Sequence, residues 1–185
     1  LRAGRSVRRL ADRERIRSFL RALGQAARRP ARVYLAGGAT AVLLGWRGST
    51  IDIDMKLVPD HEELLRAIAA LKERLELNVE LATPDGFIPV RPGWEGRSRF
   101  AAQEGPLAVY HFDLVAQALA KVHRGHRQDR EDVAAMVQRG LVDPAEARAA
   151  FAAIEAELYR YPAIDPPTFR RAVEAAFGPP HPGRG

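Results

Sequence analysis

Residues 50–57 alternate apolar and charged side chains, and this pattern constrains the fold more than any other feature of the chain. Successive side chains of a strand point to opposite faces of a sheet, so we expect Ile51 and Ile53 to face a core. Asp52 and Asp54 then share the other face. The segment is therefore predicted to be a half-buried strand that presents two neighbouring carboxylates.

A strand-to-helix turn is predicted just before this strand. The short apolar run at 33–36 ends at Gly37 and Gly38, and residues 39–44 have the composition of a helix. Backbone N–H groups at the start of a helix, together with the helix dipole, favour an anion such as a triphosphate. Two glycines before a helix are more often only a tight turn, but here they follow the strand that immediately precedes the strand with the two aspartates.

Paired carboxylates repel each other unless a cation lies between them, and a divalent metal ion is one solution. A solvated strand face is the alternative for an isolated Asp-x-Asp pattern. The chain has no cysteine, and its five histidines lack the spacing of zinc ligands. Any metal is therefore expected to have oxygen ligands, which favours Mg²⁺ or Mn²⁺.

The whole chain has the pattern of an α+β protein with a helical C-terminal part. We expect three regions: 1–112 as the core with a basic N-terminal helix, 113–178 as a helical region packed on it, and 179–185 as a disordered tail. The other predicted elements are a helix over 6–28, a helix from an Asp60–Glu63 capping box to about Leu75, a strand at 77–81, a long ordered loop at 83–105, a strand at 107–112, and helices at 114–123, 129–139, from 143 and at 169–177.

Several stretches resemble the motifs of a known superfamily. GGATA at 37–41 and RGSTIDID at 47–54 resemble the motif of the nucleotidyltransferases, which have a DNA polymerase β-like fold. Within that superfamily the chain resembles the bacterial branch related to AbiEii-type toxin nucleotidyltransferases, since LAK at 119–121 and QDREDV at 128–133 are similar to its helical lysine and Asp-x-x-Asp elements. The similarity covers about 31–142 and implies a small mixed sheet flanked by helices.

The resemblance implies a metal-binding and catalytic set. Asp52 and Asp54 are expected to ligate Mg²⁺ or Mn²⁺, with Glu80 as the third carboxylate and Lys121 as a catalytic cation. For Glu80 the alternative is an exposed strand glutamate, and for Lys121 it is an ordinary surface lysine. Only three lysines are present against 26 arginines, which favours a function for Lys121.

The resemblance also implies a nucleotide-binding set, in which glycines hold phosphates and a lysine neutralises their charge. Asp132 is expected to pair with Lys121, and Asp129 is expected to cap the helix that follows. The predicted nucleotide-binding residues are Gly37, Gly38, Thr40, Arg47, Thr50, Lys121 and Asp132.

The expected substrates are an NTP and a hydroxyl of RNA, for example tRNA, or of protein, with a cognate antitoxin or toxin as a further partner. Residues 1–30 hold ten arginines against Asp12 and Glu14, which fits either RNA binding or a solvated helix face. No apolar stretch is long enough to cross a bilayer, so no membrane partner and a cytoplasmic location are expected. The alternative functions are an inactive binding module or antitoxin of the same fold, and a plain RNA-binding protein.

Overall fold

The computed structural model describes residues 9–179 and divides the chain into two compact units. Unit 1 comprises residues 9–83 and 98–112, and unit 2 comprises residues 84–97 and 113–179. The predicted C-terminal helices all fall in unit 2. Of the predicted tail at 179–185, residues 180–185 lie outside the described residues.

Unit 1 combines a mixed sheet with helices, which confirms the predicted α+β class. Its elements are β1 (Ala11–Asp12), α1 (Arg13–Ala26), β2 (Ala31–Ala36), α2 (Gly37–Leu44), β3 (Ser49–Thr50), β4 (Asp52–Val58), α3 (Glu62–Arg74), β5 (Asn78–Glu80), β6 (Arg99–Glu104) and β7 (Leu107–His111).

The five-stranded sheet of unit 1 has the order β5-β4-β2-β7-β6. β4 runs parallel to β5 and antiparallel to β2, while β2 runs parallel to β7 and β7 antiparallel to β6. A short antiparallel ladder joins β1 to β3. The small mixed sheet expected for a nucleotidyltransferase fold is therefore present.

One face of this sheet forms the hydrophobic core with α1 and α3. Both helices carry apolar residues at helical spacing, which is the pattern of an amphipathic helix. Burying each large apolar side chain contributes roughly 1.5–3 kcal/mol relative to leaving it in water. The buried residues of this core include Ile16, Phe19, Leu23, Val33, Leu35, Ile53, Met55, Leu64, Ile68, Leu71, Val79 and Val109.

Unit 2 is helical. Asp113 caps α5, because its Oδ1 accepts from Val115 N at 3.0 Å, and Arg97 Nε donates to Oδ2 of the same carboxylate at 2.7 Å. The contact with Arg97 connects residues 84–97 to the start of α5. The elements of unit 2 are a 3-10 turn (Pro84–Gly86), α4 (Trp94–Arg97), α5 (Leu114–Arg124), α6 (Arg127–Gln138), α7 (Pro144–Ile154), a second 3-10 segment (Glu155–Arg160) and α8 (Pro166–Phe177).

Several arginines near the N-terminus make contacts within unit 1. Arg15 donates to the backbone carbonyls of Leu75 and Glu76, which follow the last residue of α3. Arg29 forms an ion pair with Glu63 at 2.8 Å. These arginines therefore stabilise the unit, and RNA binding by residues 1–30 stays a prediction. None of the helices between residues 9 and 179 is long and apolar enough to cross a bilayer.

The helix predicted over 6–28 was wrong at its start. α1 begins at Arg13, because Ala11 pairs with Thr50 in the β1–β3 ladder and the Asp12 carboxylate caps the helix. Leu10, which the predicted helix would include, lies before β1 and is 56% exposed. Residues 6–8 of the predicted helix lie outside the described residues.

Three further predictions were wrong in detail. Ile51 is 68% exposed, because the backbone bends there between β3 and β4. The helix after β4 follows His61, and Glu63 pairs with Arg29 instead of forming a capping box with Asp60. The predicted loop at 83–105 contains β6, an edge strand whose largely exposed side chains lack the apolar alternation of a half-buried strand.

Candidate active site

The two aspartates expected to bind metal lie on the polar face of β4. Ile53, Met55 and Leu57 belong to the hydrophobic core on the opposite face of the strand. Asp52 and Asp54 are partly exposed on their own face. The predicted alternation therefore holds from Asp52 onward, and it places both carboxylates on one side of the sheet.

Strand β5 adds two polar side chains beside these aspartates. Asn78 is in register with Asp52, and Glu80 is in register with Asp54. Asn78 Nδ2 donates to Asp52 Oδ1 and also to Glu80 Oε1, the latter at 3.2 Å. Paired residues of neighbouring strands point to the same face, so Asp52, Asp54, Asn78 and Glu80 form one surface, which we call the carboxylate face.

The start of α2 lies against the carboxylate face. Gly37 is the first residue of α2 and has a left-handed φ of +59°, which side-chain-bearing residues rarely adopt. A Cβ at Gly37 would overlap Asp54 Oδ2, and one at Gly38 would overlap the Thr50 side chain. Gly37 thus allows the positively polarised helix end to approach Asp54, and Gly38 allows it to approach Thr50. Their predicted binding of phosphates is a separate role and stays a prediction.

Arg47 and Thr50 lie a few residues before Asp52 in the sequence. Thr50 is buried, and its Oγ1 donates to the backbone carbonyl of Asp52 at 3.0 Å. Arg47 lies between α2 and β3, is partly buried, and its backbone N–H donates to the carbonyl of Ala41. The hydroxyl of Thr50 therefore helps to shape the start of β4, and nucleotide binding by either residue stays a prediction.

Thr40 is fully buried in unit 1. Its Oγ1 donates to the Leu35 carbonyl at 3.2 Å and lies 3.1 Å from His111 Nδ1. These contacts link α2 to β2 and β7. The structure therefore gives the Thr40 hydroxyl a role inside the core, whereas its predicted contact with a nucleotide stays untested.

Lys121 lies in a buried ionic cluster of unit 2. Its Nζ donates to Asp132 Oδ2 at 2.7 Å and lies 3.8 Å from Asp129 Oδ1. Arg124 Nε donates to Asp129 Oδ2 at 2.8 Å, and the same carboxylate caps α6 by accepting from His126 N. The expected pairing of Lys121 with Asp132 is observed. Asp129 also caps the helix, but as its third residue, because α6 begins at Arg127 and not at the predicted residue 129. Nucleotide binding by Lys121 and Asp132 stays a prediction.

The cluster determines the ionisation of Asp129. Burial alone would raise the pKa of its carboxyl group, but the hydrogen bonds and charge of Arg124, aided by Lys121, lower it overall. A carboxyl whose pKa is lower in the folded protein stabilises the fold above its ordinary pKa. That contribution is lost as the pH falls through the lowered value.

A comparison with protein families identifies the family of the chain. A family model described as a nucleotidyltransferase of unknown function (DUF6036) matches residues 13–159. The chain belongs to this family. It is therefore a nucleotidyltransferase, an enzyme that acts on a nucleotide substrate. No curated protein and no solved structure matches the chain.

The carboxylate face of this nucleotidyltransferase has the donor chemistry of a Mg²⁺ or Mn²⁺ site. All its charged side chains offer carboxylate oxygens, which these cations prefer. Among residues 9–179, however, no three His, Asp or Glu side chains stand in a preformed metal-binding group. The carboxylates of Asp52 and Asp54 suit such a cation chemically, but their binding of metal stays a prediction, as does that of Glu80, which is hydrogen-bonded to Asn78.

His111 of the nucleotidyltransferase is a buried histidine that the sequence did not single out. It is 2% exposed, and it is in register with Arg99 of β6. Burial lowers the pKa of His111 to about 4, and the positive charge of Arg99 acts in the same direction. The imidazole is therefore neutral in the folded protein at pH 7.

We expect this histidine to make the fold acid-sensitive between pH 6.5 and pH 4. The unfolded chain, with an ordinary histidine, binds the proton more tightly, so stability is lost as the pH falls through this window. The difference in pKa corresponds to about 3 kcal/mol. Glutamine does not titrate. Between pH 7 and pH 4.5, the free energy of unfolding measured with urea should therefore fall by about 2–3 kcal/mol less in His111→Gln than in the wild type. Equal losses in the two proteins would contradict this account.

Asn78 is a residue of the carboxylate face to which sequence reasoning assigned no role. It is the only asparagine in the chain, and it lies two residues before Glu80 on the same face of β5. These two facts could have indicated its role, because the amide of Asn78 is a hydrogen-bond donor among carboxylates, which only accept. For His111 we find no local signal, since its partner Thr40 is 71 residues away.

Proposed function

We propose that this nucleotidyltransferase moves a nucleoside monophosphate from an NTP to a hydroxyl group of RNA or protein, with Mg²⁺ or Mn²⁺ at Asp52 and Asp54. The observation that supports this most is the placement of both carboxylates on one strand face, with the start of α2 against Asp54. Carboxylates next to a helix N-terminus can hold a cation and a phosphate side by side.

In the proposed reaction the acceptor oxygen attacks the α-phosphorus of the NTP. The bond from that phosphorus to the oxygen bridging to the β-phosphate breaks, pyrophosphate leaves, and the acceptor hydroxyl releases its proton to water. When bound, the metal ion supplies Lewis acidity and offsets the negative charge on the phosphates. The chain itself contributes positioning: β4 fixes the two carboxylates, and Gly37 and Gly38 let the start of α2 pack against Asp54 and Thr50.

Thermal unfolding tests the site. We expect Mg²⁺ together with one or more of the four NTPs to raise the melting temperature of the wild type by several degrees, because a ligand that binds only the folded state stabilises it. Asp52→Asn should abolish this shift. Asp60→Asn is the matched control, since it makes the same chemical change on an exposed residue outside the carboxylate face. No shift with any NTP would favour the alternative of an inactive binding module or antitoxin.

We also propose a toxin–antitoxin or phage-defence role, with a cognate partner that restrains the enzyme. The support is the resemblance of the motifs at 119–121 and 128–133 to the AbiEii-related branch. Induced synthesis of the wild type, but not of Asp52→Asn, should slow bacterial growth. Equal growth with both proteins would contradict a toxic activity.

A further inference from the structure

Asn78 occupies the position between two carboxylates of the candidate metal site. It is in register with Asp52 across the β4–β5 pair and lies two residues before Glu80 on the same strand. Its single amide nitrogen donates to one oxygen of each carboxylate. Asp52 and Glu80 are thus connected through a neutral donor group.

The chemistry of the amide suits this position better than other side chains of its size. Asparagine offers two N–H donors and carries no charge, so it can satisfy two anions at once. An aspartate there would add a third negative charge between them, and an apolar residue would leave both without this donor. Hydrogen bonds to ionised acceptors are also stronger than those between neutral groups.

We propose that Asn78 is a positioning residue that holds the carboxylates of Asp52 and Glu80 in place for a divalent cation and thereby sets the affinity of the site for metal. This inference rests on the proposed function, because it assigns the cation to the carboxylate face. Asn78 acts through Asp52 and Glu80. Its effect is therefore on the affinity for metal and on how well the two carboxylates are held when no metal is bound.

The test measures metal binding without nucleotide. Mn²⁺ is titrated into the full chain, and the free ion is followed by electron paramagnetic resonance. Partners that orient metal ligands typically contribute 10–100-fold to metal affinity, so Asn78→Ala should raise the dissociation constant at least about tenfold. Turnover of Asn78→Ala should recover at high metal concentration. Gln103→Ala is the matched control, since it removes an exposed amide that donates to the nearby Gly105 carbonyl, outside the carboxylate face.

Asn78→Asp gives a second, nearly isosteric variant. Its extra negative charge should lower the melting temperature of the metal-free protein and enlarge the rise that Mn²⁺ produces, because the cation relieves the added repulsion. A purely structural role for Asn78 predicts a lower melting temperature with no larger metal response, and that result would overturn the proposal.

The outcomes separate this inference from the proposed function. If the wild type binds Mn²⁺ and turns over NTP, but Asn78→Ala binds Mn²⁺ within about threefold of the wild type, only the role of Asn78 is overturned. If the wild type binds no Mn²⁺ and turns over no NTP, both are overturned. A tenfold loss in Asn78→Ala with unchanged binding in Gln103→Ala supports both.

Discussion

Changing Asp54 to asparagine is expected to reduce nucleotide turnover by about a thousandfold or more while the protein stays folded. The substitution keeps the size of the side chain and removes one of the two negative charges that the proposed cation needs. A thousandfold loss corresponds to about 4 kcal/mol of transition-state stabilisation. Initial rates of pyrophosphate release at saturating Mg²⁺ measure the effect.

The stability of Asp54→Asn should differ little from that of the wild type. The variant loses a favourable contact of its charge with the start of α2, worth about 0.3–1 kcal/mol, but it also loses repulsion from Asp52. Asp60→Asn should keep full turnover. If Asp54→Asn retained more than a tenth of wild-type activity, the carboxylate face would not be the centre of the reaction.

Changing Lys121 to methionine is expected to destabilise the protein by about 3–5 kcal/mol, the usual cost of removing one partner from a buried ion pair. Lys121 is 5% exposed and Asp132 is fully buried, so the remaining carboxylate loses its ammonium partner without gaining access to water. Urea unfolding followed by circular dichroism measures the loss.

A double-variant cycle shows whether this cost comes from the ion pair. Lys121→Met combined with Asp132→Asn should be more stable than Lys121→Met alone, because the second change removes the buried charge. Lys72→Met is the control, since Lys72 is a partly exposed lysine near the end of α3. A loss below about 1 kcal/mol for Lys121→Met would show that the pair contributes little to stability.

The sequence predicted well those features that depend on local pattern. The alternation from Asp52 to Leu57 placed both aspartates opposite the core, because the period of a strand is two. The two glycines at the start of α2 were recognised by their position, although their packing against Asp54 and Thr50 emerged only in three dimensions. The same alternation predicted a buried Ile51, but the backbone bends at this residue and its side chain is exposed.

Features that depend on pairing between distant segments were not predictable from local pattern. β6 is an edge strand with mostly exposed side chains, so its place beside β7 is set by backbone hydrogen bonds rather than by hydrophobicity. The contact of His111 with Thr40 and the bridge from Asn78 to Asp52 join residues far apart in the chain. By contrast, the pairing of Lys121 with Asp132 was expected from the family motif.

The position of the transferred phosphorus tests the central claim most directly. The wild type is incubated with Mg²⁺, bacterial RNA and protein, and an NTP labelled with ³²P at either the α- or the γ-phosphate. We expect label from the α-phosphate, but not from the γ-phosphate, to become attached to a macromolecule, and we expect Asp52→Asn to abolish this transfer. Label from the γ-phosphate, or no transfer from any of the four NTPs with Mg²⁺ or Mn²⁺, would contradict nucleotidyl transfer at the carboxylate face.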